Sequence, residues 1–146
     1  MSTVRQLLQI KGKDVWSIGP DQSVFDALRM MAQKDVGALL VMEGDKMIGI
    51  VSERDYARKV VLLGKASKDT LVREIMTQDV FTIHPDQMIE ECMALMTARR
   101  IRHIPVELDG RILGVISIGD VVKDIIYEQR QTIKKLEKYL LGVEGM

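Results

Sequence analysis

Ser52 and Asp55 recur as Ser117 and Asp120, each 65 positions further on, and the hydrophobic pattern around them recurs too. Gly49-Ile50-Val51-Ser52-Glu53-Arg54-Asp55 is answered by Gly114-Val115-Ile116-Ser117-Ile118-Gly119-Asp120. Asp14 through Val61 aligns on Asp79 through Ile126 without a gap, with identities that include Asp14/Asp79, Pro20/Pro85 and Val41/Val106. A hydrophobic pattern kept over so long a run argues for an internal duplication. One copy, about 50 residues, is marginal for a core of its own. Two copies are therefore expected to pack through their sheets about an approximate two-fold axis, and clefts between them should come in pairs.

Each copy reads as strand, helix, strand, strand, helix. Asp14-Val15-Trp16-Ser17-Ile18 alternates as a half-buried strand, and Gly19-Pro20-Asp21 ends it. From about Ser23 to Lys34 the residues Val24, Ala27, Leu28 and Met31 share one helical face. Val36 to Met42 and Lys46 to Val51 flank Glu43-Gly44-Asp45 and predict an antiparallel hairpin. Ser52 opens a helix that reaches about Leu63. Two short helices, Thr3 to Leu8 and Thr70 to Met76, precede the copies and are comparable. The expected class is α/β (α+β), two pseudo-symmetric β-α-β-β-α repeats with a C-terminal helical extension. Expected boundaries are 1–66 for repeat 1 with its N-terminal helix, 67–127 for repeat 2, and 128–146 for the tail. In that tail Ile126, Gln129, Ile133, Leu136 and Leu140 form a seam over about two heptads. The seam packs on its own domain or on a second copy.

Charge narrows the function classes. Lys+Arg and Asp+Glu both number 21, so the chain lacks the cationic excess of a dedicated nucleic-acid binder. No apolar run approaches the roughly 20 residues that span a bilayer. Cys92 is the only cysteine, which excludes a disulfide within the chain and fits a reducing compartment. A cytoplasmic location is expected.

Ser-x-x-Asp at a helix start has two readings. As structure alone it is a capping box: the serine accepts from the N3 backbone N–H and the N3 carboxylate reaches back. As chemistry, a helix N-terminus favours an anion. The serine there can bind a phosphate or sugar hydroxyl, and the carboxylate can accept from two adjacent hydroxyls, as on a ribose. The apolar strand before it could wall a planar base. Two such junctions facing each other describe a nucleotide site made without a glycine-rich loop.

On these residues the chain resembles a tandem pair of cystathionine-β-synthase (CBS) domains, a Bateman module. The likeness rests on both Gly-h-h-Ser-x-x-Asp segments (h, hydrophobic) and on Ile101-Arg102-His103-Ile104-Pro105-Val106. It rests also on Val15-Trp16-Ser17-Ile18-Gly19-Pro20-Asp21 with Val80-Phe81-Thr82-Ile83-His84-Pro85-Asp86. It covers about Val4 to Tyr127. The resemblance implies a regulatory ligand containing adenosine: AMP, ADP, ATP, NAD or S-adenosylmethionine, with no catalytic cofactor. By the family pattern Asp55 and Asp120 hold ribose hydroxyls, and Ser52 and Ser117 contact ribose or phosphate. Ser17-Ile18 and Thr82-Ile83 flank the base, together with Gly37-Ala38 and His103-Ile104-Pro105.

The copies differ where the ligand should sit. Glu53-Arg54 stands against Ile118-Gly119, and Gly37-Ala38 against Arg102-His103. Arg54, Arg58 and Arg102 are candidate phosphate contacts, with a solvated positive charge as the alternative reading of each. The second motif is expected to be the tighter site, since Gly119 leaves room and Arg102-His103 adds donors. His84 and His103 have no zinc or haem spacing, and Cys92 falls among Met93, Leu95 and Met96 as a buried, inert thiol. Gly64-Lys65-Ala66-Ser67 lacks the pattern of a phosphate loop. No nucleophile-base-acid arrangement is legible. The leading expectation is a stand-alone sensor of adenine nucleotides, a homodimer that signals to an unidentified protein target. Its rivals are a nucleotide enzyme and a structural dimerisation domain whose Ser-x-x-Asp pairs are only caps.

Overall fold

The computed structural model describes residues 2–142. They divide into two compact units: Asp14–Phe81, and residues 2–13 together with 82–142. Each is built around one copy of the repeat. In the first, β1 (Ser17–Ile18) pairs in parallel with β2 (Ala38–Glu43), which pairs antiparallel with β3 (Lys46–Ser52). Between β1 and β2 runs α2 (Val24–Lys34), capped by the Ser23 hydroxyl, which accepts from the Asp26 N–H. β3 runs into α3 (Glu53–Tyr56), and the helix continues as one π-helical stretch, Ala57–Val61. Ile18, Val24, Ala27, Met31, Leu39, Val41, Val51 and Val60 form the core, as the alternation and helical spacing require.

The second unit repeats this plan. α5 (Ile89–Arg99) leads to the hairpin β4 (His103–Leu108) and β5 (Arg111–Ser117), and α6 (Ile118–Leu140) follows without a break. Corresponding details agree between copies. Each hairpin carries one register shift, between Val41 and Met42 and between Val106 and Glu107. Each preceding helix ends on a left-handed residue, Asp35 or Arg100, both at φ 54°. The first strand of the second copy is reduced to a single parallel bridge, Ile83 to Val106, held by Ile83 N–H to the Pro105 carbonyl at 3.0 Å and Glu107 N–H to the Ile83 carbonyl at 2.9 Å. The expected strand over Asp14 to Ile18 is likewise only two residues long.

The short helices are exchanged relative to the expected boundaries. α1 (Val4–Lys11) precedes the first copy in sequence but packs in the second unit. There Val4 and Arg5 N–H groups donate to Gln87 and Pro85, and Arg5 pairs with Asp86 at 3.1 Å. The helix α4 (Val72–Ile75) does the same in the first unit: Val72 and Arg73 donate to Gln22 and Pro20, and Arg73 pairs with Asp21 at 2.7 Å. So residues 2–13 group with the second copy and 67–81 with the first, which differs from a division at 66/67. Residues 128–140 continue α6 as the expected C-terminal helical extension, and residues 143–146 of that tail lie outside the described residues.

The exchange explains the glycine that opens each motif. A Cβ on Gly114 would stand 2.7 Å from Leu8 Cδ2, and a Cβ on Gly49 would stand 2.7 Å from Met76 Sδ and 2.9 Å from the Thr77 carbonyl oxygen. The short helices lie so close to β3 and β5 that no side chain fits beneath them. Among the described residues no helix is long and apolar enough to cross a membrane.

Candidate functional site

Both Ser-x-x-Asp pairs form complete capping boxes. The Asp55 N–H donates to Ser52 Oγ at 3.2 Å, and the Ser52 N–H and hydroxyl donate to Asp55 Oδ2 at 2.9 and 3.1 Å. In the second copy the Asp120 N–H donates to Ser117 Oγ at 3.2 Å and the Ser117 N–H to Asp120 Oδ2 at 2.9 Å. Each junction is pinned to the loop before the hairpin. The Glu53 N–H donates to the Gly37 carbonyl at 3.0 Å, and the Ile118 N–H to the Arg102 carbonyl at 2.9 Å. Sheet register then sets Ala38 opposite Ser52 and His103 opposite Ser117.

Within the second unit this gathers Arg102, His103, Ser117, Gly119 and Asp120 at one strand–helix junction, with Thr82-Ile83 and Ile104-Pro105 on the adjoining strands. Ile83, Ile104 and Pro105 are buried, Thr82 and His103 half-buried, and Arg102 and Gly119 exposed. Gly119 faces open space, since an added Cβ would meet only Ser117 Oγ, at 3.6 Å. In the first unit Gly37, Ala38, Ser52 and Asp55 gather in the same way. There Ser17 is exposed on β1 and Ile18 is buried beside it. Arg54 and Arg58 lie on the exposed side of the helix, Arg58 on its π-helical turn.

Two lysines complete the junctions, and neither belongs to the set expected from sequence. Lys59 Nζ lies 3.1 Å from Asp55 Oδ1 and donates to the Ile75 carbonyl at 2.8 Å. Lys11 Nζ lies 2.6 Å from Asp120 Oδ2 and also donates to the Val115 carbonyl. Lys59 stands four residues past Asp55 on one helix, a spacing that favours ion pairs and is legible in sequence. Lys11 has no local signal, because 109 residues separate it from Asp120.

These contacts set the local charge. Burial pushes the Asp120 carboxyl up, but hydrogen bonds from Lys11 and Ser117 outweigh it and hold it below its usual value. His103 is held below the ordinary histidine value by burial first and by Lys11 second, against the opposing pull of Asp120. At neutral pH its imidazole is therefore neutral, a donor and acceptor rather than a cation. Burial raises the Cys92 thiol to about 11, so the thiolate is scarce and the residue inert.

Two strand–helix junctions with matching contacts, each with a carboxylate held by a serine and a lysine, define a duplicated module of mixed sheet and helix. A family model for the CBS domain matches residues 5–62 and again 72–127, and the chain belongs to that family. It is a CBS-domain pair, a regulatory module. The mitochondrial CBS domain-containing protein CBSX3 of Arabidopsis thaliana is 39% identical, over 97% of this chain and 73% of that protein. A solved protein with CBS domains from Burkholderia ambifaria is 50% identical at a TM-score of 0.85, covering 88% of this chain and 96% of that one. A third structure, at 23% identity and a TM-score of 0.77, shares the fold over 88% of this chain and 98% of its own; it is a CBS domain pair in complex with 5′-methylthioadenosine and S-adenosyl-L-methionine.

Proposed function

We propose that this CBS-domain pair binds an adenosine-containing nucleotide (AMP, ADP, ATP or NAD) at its Ser-x-x-Asp junctions and passes the bound state to a partner protein. The observation that carries the reading is the convergence of Arg102, His103, Ser117, Gly119 and Asp120 at one junction, mirrored at Gly37, Ala38, Ser52 and Asp55. Asp55 and Asp120 accept from the ribose hydroxyls; Ser52 and Ser117 contact ribose or phosphate. Ser17-Ile18, Thr82-Ile83 and Ile104-Pro105 flank the base. Arg54, Arg58 and Arg102 meet phosphates. The second junction binds more tightly, because Gly119 leaves open space and His103 offers a neutral donor and acceptor. The adenosine compounds bound by a protein of the same fold support this ligand class. No catalysis is assigned, and a partner reads the change only if the ligand favours one conformational state. The lone free thiol of Cys92 fits a reducing compartment; within that class we propose the cytoplasm, and fractionation into an organelle would replace it.

A second reading has its own support. Both Ser-x-x-Asp pairs are complete caps, so a structural dimerisation domain needs no ligand to explain them. Thermal unfolding against AMP, ADP, ATP, NAD, NADH, S-adenosylmethionine and a guanosine control separates the two, in wild type and Asp120→Ala. A ligand at 100 times its dissociation constant adds roughly 2.7 kcal/mol, several degrees for a chain of this size. Asp120→Ala lowers the baseline midpoint by removing a cap and the Lys11 pair, so the quantity read is the increment with ligand. An increment with one adenosine compound, lost in the variant, supports the sensor. No increment from nucleotide-free protein leaves the structural domain.

A further inference from the structure

The carboxylate assigned to the ribose at the second junction already has a partner. Asp120 Oδ2 accepts the Ser117 N–H at 2.9 Å and Lys11 Nζ at 2.6 Å, which fills both lone-pair sites of that oxygen. Two adjacent ribose hydroxyls engage both oxygens of a carboxylate, so a sugar that settles on Asp120 displaces the ammonium. The pair is partly shielded from water, with side chains 33% exposed for Lys11 and 21% for Asp120. Lys11 also donates to the Val115 carbonyl. Its displacement therefore costs more than breaking a fully exposed ion pair.

The displaced ammonium stays close by. Lys11 is the last residue of α1, and α1 is anchored in this unit by the buried Val4, Leu7 and Leu8. The neighbourhood is cationic: the charged groups that act on His103, opposite Ser117, are Lys11, Asp120 and Arg102, two cations against one anion. In a nucleoside the 5′ substituent lies across the sugar ring from the 2′ and 3′ hydroxyls, within the sweep of a lysine side chain. We propose that Lys11 competes with the ribose for Asp120 and so selects the ligand: an adenosine carrying a 5′-phosphate, whose anion takes over the ammonium that the sugar displaces. This rests on the nucleotide reading of the junction and narrows it to anionic ligands. Adenosine breaks the Lys11–Asp120 pair without replacing it. S-adenosylmethionine does the same and sets a sulfonium cation at the 5′ position, facing Lys11 and Arg102. The first junction is less selective, because Lys59 holds Asp55 from the same helix and Glu53 stands inside the motif.

His103 is one of only two histidines in the chain, so its ring protons report the second junction by NMR. Nucleotide-free wild type, Lys11→Met and Lys11→Arg are titrated with AMP, adenosine and S-adenosylmethionine, with amide spectra showing all three proteins folded. Wild type should bind AMP at least about tenfold more tightly than adenosine, the effect of one charge-assisted hydrogen bond. Lys11→Met should erase that margin from both sides, with AMP weakened and adenosine strengthened. Lys11→Arg should keep it, since a guanidinium serves carboxylate and phosphate alike. Equal weakening of AMP and adenosine in Lys11→Met would overturn the proposal, because the lysine would then only support the junction. So would a margin unchanged in that variant, or wild type that binds adenosine or S-adenosylmethionine as tightly as AMP. In each of those cases nucleotide binding itself stands. His103 signals unmoved by all three compounds would instead remove the nucleotide reading of this junction, and the proposal with it.

Discussion

Replacing Gly114 with alanine tests the exchange of short helices, because the strain it creates depends on what lies over the strand. An added Cβ would stand 2.7 Å from Leu8 Cδ2, and Leu8 is 2% exposed, so it has little room to withdraw. Overpacking of this kind costs about 1–3 kcal/mol. Leu8→Ala alone empties a buried site and costs about 2–5 kcal/mol. Together the two should not add: once the Leu8 methyls are gone, the methyl introduced by Gly114→Ala fills part of the space they leave. The double variant should therefore be no less stable than Leu8→Ala, a coupling of at least about 1 kcal/mol in favour of the pair. Urea unfolding of the four proteins measures it, with an m value of about 2 kcal/mol/M making each kcal/mol roughly half a molar in midpoint. Gly49→Ala is the control. Its added methyl meets the Thr77 carbonyl at 2.9 Å, and that backbone is bonded both ways to Ile50, so Leu8→Ala should not relieve it. Additivity of Gly114→Ala and Leu8→Ala within about 0.5 kcal/mol, or coupling of Leu8 to Gly49 instead, would refute the assignment of α1 to the second repeat.

Other consequences follow from the charges. Asp120 is held below its unfolded value, so its stabilisation is present above about pH 4 and is lost as pH falls through the folded value. Lys11→Met should flatten the stability profile between about pH 5 and 3, on the order of 1 kcal/mol for a half-exposed pair, read from urea midpoints. His103 is also held low, which for a base means stability present above about pH 6.5 and lost below it as the unfolded chain takes up the proton. Titration of its ring protons by NMR should give a midpoint below that value, and Lys11→Met should move it upward. Cys92, with its thiol at about 11 and its side chain buried, should resist a disulfide reagent in the native protein and react at once in denaturant.

Local features of the fold are legible in the sequence. Hydrophobic spacing locates α2 and both hairpins, and Ser23, Ser52 and Ser117 mark helix starts that the structure caps through those serines. The length of β1 is less legible. Asp14 to Ile18 alternates as a strand should, yet only Ser17 and Ile18 pair with β2, and the second copy keeps only the Ile83 bridge. Alternation reports which side chains are buried, while a strand also needs a neighbour within hydrogen-bonding reach.

Duplication, family, element order and the pairing of serine with aspartate are all written in the chain itself, because each depends on neighbouring residues or on one pattern repeated. That α1 serves the second copy and α4 the first is a matter of packing. The two helices have comparable sequences, and only tertiary contacts assign them: their fit over Gly114 and Gly49 and their bonds to the Pro85–Gln87 and Pro20–Gln22 turns. Packing also makes Lys11 the residue that neutralises Asp120 from 109 residues away. An ion pair between distant positions leaves no periodicity behind. It exists only once the packing of Leu8 on Gly114 has brought the end of α1 to the start of α6.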